Sequence, residues 1–153
     1  MSVVFTPVGV RDILHLPLNE LTNRYVSLEE VLGREGKDME EQMMNLSGFD
    51  ERVEGLESFL LGRLQRRNEF ENNRMRMVMT RLLQCRGMFN VEQLASYACL
   101  SRKQFERVFA AYVGLMPKQY LRVIRFLYAV EFRNRMPEVD LATLAFHTGY
   151  YDA

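Results

Sequence analysis

Apolar residues along this chain recur three and four positions apart, and no period-two alternation runs beyond four residues. The pattern predicts an all-α fold. The clearest stripe is Met75, Val78, Met79 and Leu82, on a helix that should stop at Gly87, where glycine suits a left-handed C-terminal cap. Asn90-Val-Glu-Gln93 then has the spacing of a capping box, in which the first side chain accepts from the backbone three residues on and the fourth reaches back. It predicts a short helix over 91–98 that buries Val91, Leu94, Ala95 and Ala98. Ser101-Arg-Lys-Gln104 repeats the box and opens a helix over 101–113, burying Phe105, Val108, Phe109 and Tyr112 before Gly114. Pro117 suits the first turn of a long helix to Arg135, about 28 Å at ~1.5 Å per residue. Pro137 breaks it, and Asp140 can cap a last helix through His147, ending at Gly149.

Upstream the signals are thinner. Ser2 to Phe5 is a short β-prone run that reads as the end of a strand. Arg11 to Leu16 holds one or two helical turns closed by Pro17. Ser27-Leu-Glu-Glu30 is another capping box, with a short helix expected to end at Gly33. Further helices are expected over Asp38 to Asn45 and from Ser47 to about Arg67, the latter with Val53, Leu56, Leu60 and Leu64 as its apolar stripe. Residues 65–73 are polar and mark the expected domain boundary. Residues 1–67 then form a small helical segment, and residues 72–153 form a second unit.

Composition narrows the function classes. With 153 residues, 48% of them hydrophobic, the chain can bury a core, and its ten methionines fall at helical spacings as core filling. Cys85 and Cys99 lie fourteen positions apart with no histidine near either in sequence, which is no metal-ligand spacing. No apolar run reaches 18 residues and no charged-then-apolar leader is present, so a soluble, cytoplasmic protein without a membrane partner is expected. His15 and His147 are the only histidines, neither in a nucleophile arrangement, and there is no phosphate-cradling glycine loop or HExxH run. An enzyme, a cofactor, catalytic residues and a metal site are therefore not expected. The formal net charge of zero conceals a division, −7 over residues 1–62 and +7 over residues 63–153. A basic half can bind a phosphate backbone with salt-sensitive affinity. Neutralisation of one half by the other accounts for the same numbers.

Two short helices joined by about three residues have helix-turn-helix spacing. The second begins with Arg102, Lys103, Glu106 and Arg107, and positions 103, 106 and 107 share one face. A helix fits the major groove, where Arg107 could donate twice to a guanine and Glu106 could accept from a cytosine amine. Arg102 and Lys103 could meet guanine or phosphate, and the backbone N–H groups from Asn90 and from Ser101 could hold phosphate oxygens. Lys118, Arg122, Arg125 and Arg133 lie close to one face of the long helix and could follow a backbone. A solvated basic face accounts for all of these residues equally well.

The run from Phe89 to Asn134 resembles the first half of an AraC/XylS-type DNA-binding domain. The resemblance rests on VEQLA, on LS before the second helix, on F-x-R-x-F from Phe105 to Phe109, and on G-L-x-P-x-x-Y from Gly114 to Tyr120. DLATLAFHTGYYDA, from Asp140, is similar to the start of that family's second helix-turn-helix, so the match covers about residues 72–153. A weaker resemblance over residues 3–64 is to the segment that precedes the DNA-binding half in one subgroup, which implies that residues 1–67 are the C-terminal part of a regulatory or oligomerisation domain. The family implies a bacterial transcription regulator with two homeodomain-like helix-turn-helix units joined by the long helix. It places base-reading positions at Lys103, Glu106 and Arg107, with Arg102 nearby. Double-stranded DNA is the implied partner, with a homodimer and, through a longer parent, RNA polymerase as further candidates. Two residues depart from the pattern. Cys99 stands where the family usually has the turn glycine, and Glu106 repels phosphate. The second recognition helix falls beyond Ala153. A truncated interaction module that dimerises without reading DNA is the alternative expectation.

Overall fold

Capping chemistry sets most of the helix starts. In the computed structural model, which describes residues 2–64 and 69–150, the Ser27, Asn90 and Ser101 side chains each accept from the backbone N–H three residues on, and Glu30, Gln93 and Gln104 return the bond. The helices are α1 (Pro7–Leu14), α2 (Leu28–Leu32), α3 (Arg34–Asn45), α4 (Phe49–Arg63), α5 (Glu69–Gln84), α6 (Val91–Tyr97), α7 (Arg102–Val113), α8 (Pro117–Arg135) and α9 (Leu141–Thr148), with a 3-10 turn at Leu18–Glu20. No strand occurs among the described residues, so the fold is all-α. The expected strand end at Ser2 to Phe5 is corrected: this run is irregular, with Val4 91% exposed.

Other boundaries move for local reasons. α1 begins at Pro7, earlier than expected, because the Thr6 hydroxyl accepts from the Gly9 N–H at 3.2 Å and proline needs no donor in the first turn. α3 begins at Arg34, directly after Gly33, whose φ of 63° turns the chain between α2 and α3. The expected extension of α4 to Arg67 lies outside the described residues. Of the polar run at 65–73, residues 65–68 also lie outside them. Residues 69–73 are helix, and Asn72 is buried.

One core organises the described chain. Met75, Val78, Met79 and Leu82 from α5 meet Val91, Leu94, Ala95 and Ala98 around α6. Phe105, Phe109 and Tyr112 from α7, Leu121 from α8 and Val8 from α1 join the same cluster. Val108, expected in the core, is only partly buried. α3 and α4 pack on each other, and α4 buries no residue fully. Its stripe is half-buried at Val53, Leu56 and Leu60, while Leu64 is exposed. No helix of the described residues is long and apolar enough to cross a membrane.

Candidate nucleic-acid interface

The orientation of α7 follows from what its inner face buries. Phe105, Phe109 and Tyr112 are 0–1% exposed. The Phe105 and Phe109 rings stand 5.4 Å apart, and Phe109 meets Tyr120 edge-on at 5.7 Å. The Tyr112 hydroxyl donates to Asn72 Oδ1 at 2.6 Å, with Glu71 Oε2 at 3.2 Å. Asn72 in turn donates to Asp12 Oδ1 at 2.6 Å, and Arg76 pairs with Asp12 at 3.3 Å. The Arg11 guanidinium lies 4.2 Å from the centre of the Tyr112 ring. Burial, helped by the Glu71 carboxylate, pushes the Tyr112 hydroxyl up to about 12. Rotating α7 would break this polar cluster and withdraw two phenylalanines from the core.

With that face fixed, Lys103 and Arg107 point outward and Glu106 is partly covered. Neither Lys103 nor Arg107 makes an ion pair among the described residues. Arg102 is placed differently. Its Nε donates to Glu106 Oε1 at 3.0 Å, one turn along α7, and its Nη1 pairs with Glu92 on α6. The hydrogen bond to Glu106 and the charge of Glu92 raise Arg102 above its ordinary value. The guanidinium therefore bridges the two helices. The Asn90 and Ser101 amides are also engaged, each donating to the glutamine that closes its box, at 2.9 and 3.2 Å. Lys118 and Arg122 are exposed on the first two turns of α8. Arg125 and Arg133 instead donate to the carbonyls of Gly149 and Val139, holding α8 to the α9 region.

The connection between α6 and α7 is tight. Cys99 N–H donates to Ser96 O and Leu100 N–H to Ala95 O, both at 3.0 Å. Cys99 sits at a φ of 53°, in the left-handed region, and its thiol is exposed. A left-handed residue with a Cβ costs roughly 1–2 kcal/mol, which the flanking core contacts must offset.

Two features were not legible beforehand. Glu92 completes the Arg102 bridge, although it was visible only as an acidic residue in the first turn of α6. The other is the segment around the 3-10 turn. Leu18 is 9% exposed, and the Thr22 hydroxyl donates to Gly114 O at 2.5 Å. A Cβ at Gly114, where φ is 84°, would lie 2.9 Å from Thr22 Oγ1 and 3.1 Å from Leu18 O. Pro17, Asn19 and Glu20 thus form one wall of an open groove of about 490 Å3, and Lys103, Glu106 and Arg107 line the other. No local sequence signal announces a contact between positions some ninety residues apart.

Among the described residues, no group of three or more His, Cys, Asp or Glu side chains could hold a metal ion. No family model matches the chain, and neither a curated protein nor a solved structure matches it.

Proposed function

We propose that the chain is a sequence-specific double-stranded DNA-binding protein of the transcription-regulator class, with α6 and α7 as a helix-turn-helix and α7 in the major groove. One observation carries the reading. α7 is anchored by three fully buried aromatic side chains on one side and presents Lys103 and Arg107, unpaired among the described residues, on the other. A helix about 10–12 Å across fits a major groove about 12 Å wide. Arg107 has the planar fork that donates twice to a guanine edge, and Lys103 supplies charge to guanine or phosphate. The resemblance of residues 72–153 to AraC/XylS regulators points to the same face. The segment at Pro17–Thr22 packs on the Gly114 end of α7, and its Pro17, Asn19 and Glu20 face Lys103 and Arg107 across an open groove.

A second reading has its own support. On α8, Val123, Phe126, Leu127 and Val130 are 43–59% exposed, and Leu141 on α9 is 76% exposed. An apolar face of this kind suits a protein interface, whether a homodimer or a module of a larger regulator. Selection from a random duplex pool separates the two. DNA reading requires that the wild-type chain enrich a motif which Arg107→Ala loses. An interaction module recovers the same unspecific pool with either chain.

A further inference from the structure

A carboxylate on a DNA-facing surface is a liability unless something restrains it. Glu106 stands between Lys103 and Arg107 on the outer face of α7, where unscreened negative charge repels phosphate. Its side chain is only 28% exposed, and its Oε1 is taken by Arg102 Nε at 3.0 Å. The same guanidinium reaches across the turn to Glu92 in the first turn of α6. Exposed ion pairs add little stability. A planar guanidinium held by two carboxylates on two different helices has a fixed direction, however, and it fixes the carboxylate it grips. Oε2 of Glu106 takes neither of these bonds and remains an acceptor.

We propose that Arg102 is a positioning residue: braced by Glu92, it aims Glu106 to accept from a cytosine amine and offsets the charge that would otherwise repel the backbone. This rests on the DNA-reading function above and assigns the cationic residue at the start of α7 to specificity through Glu106 rather than to phosphate or guanine. The chemistry is directional. Cytosine N4 is a donor in the major groove, and an ionised carboxylate is acceptor-only. Arg102 and Glu106 should therefore act on one and the same base pair.

The test uses the full chain, random duplex pools and a fixed random-sequence duplex. Glu106→Gln and Arg102→Ala should each lose discrimination at one shared base pair, by roughly 5- to 100-fold, and leave the other positions of the motif unchanged. Arg102→Ala alone also leaves two carboxylates unpaired, so it weakens binding to every sequence. Combining it with Glu92→Gln removes one charge of each sign. That double variant should bind the random-sequence duplex within about twofold of wild type and still lack the preference. Arg102→Lys, which keeps the charge but not the fork, should recover it only in part. The proposal is overturned if the double variant keeps the wild-type preference. It is overturned equally if Arg102→Ala weakens all sequences alike with a salt slope lower by about one, the mark of a lost phosphate contact. A wild type that enriches no motif removes the DNA-reading function and this proposal together. An Arg107-dependent motif that ignores Glu106→Gln removes this proposal alone.

Discussion

α4 and α5 are nearly the same length, 15 and 16 residues, yet one buries nothing fully and the other buries Asn72, Met75, Val78, Met79 and Leu82. Both contain apolar residues at helical spacing. In α5 the buried apolar residues fall on one stripe. In α4 the stripe of Val53, Leu56 and Leu60 is only half-buried, and both helices expose other large apolar residues, Phe49 and Leu61 at 68–69% in α4 and Phe70 at 76% in α5. Local signals are therefore enough to place a helix and its stripe, but burial requires a partner that covers the stripe. The part of the molecule that holds α7 is the part whose stripe is covered.

The comparison breaks most sharply at matched leucines. Leu82→Ala removes a side chain that is 0% exposed and should cost about 2–5 kcal/mol in urea unfolding. Leu60→Ala on α4, only half-buried, should cost less than half as much; equal losses would mean that α4 belongs to the core after all. The next largest effect lies at the joint between α1 and this core. Asp12→Ala leaves Asn72 without its 2.6 Å acceptor and should cost about 1–3 kcal/mol. An unchanged urea midpoint would show that α1 is dispensable to the packing of α7.

Caps give a smaller contrast. Ser101→Ala at the start of α7 should cost about 1 kcal/mol. Ser27→Ala should cost less, because α2 is five residues long and buries none of them. A further effect appears only at high pH. Tyr112 is raised in the folded state to about 12 from 10, first by burial, so its contribution is fully present below pH 10. It fades as pH rises from 10 towards 12, where the unfolded hydroxyl ionises first. Wild type should therefore lose its advantage over Tyr112→Phe across that window, measured by thermal midpoints. A constant difference would mean that the hydroxyl is not held neutral by the fold.

Helix starts from residue 69 onward were legible wherever a capping side chain and its return partner stood three residues apart, as at Asn90 and Ser101. The core stripes of α5, α6 and α7 were legible from their period, apart from Val108 at the margin. What the sequence concealed was long-range. Arg102, Asn90 and Ser101 all read as free to meet DNA, but each has a partner within the fold. The packing of Thr22 and Leu18 against Gly114 depends on a contact that no local period encodes. α1 starts ahead of the expected Arg11 because Pro7 can open a helix once Thr6 caps it.

The most direct test of the account is the affinity of the full chain for its enriched duplex and for a scrambled one, at ~50 and ~200 mM salt, with wild type and Arg107→Ala compared. Wild type should prefer the enriched duplex, both affinities should fall as salt rises, and Arg107→Ala should erase the preference while leaving the circular dichroism spectrum unchanged. Equal affinity of wild type for both duplexes, unaffected by salt or by Arg107, would contradict it.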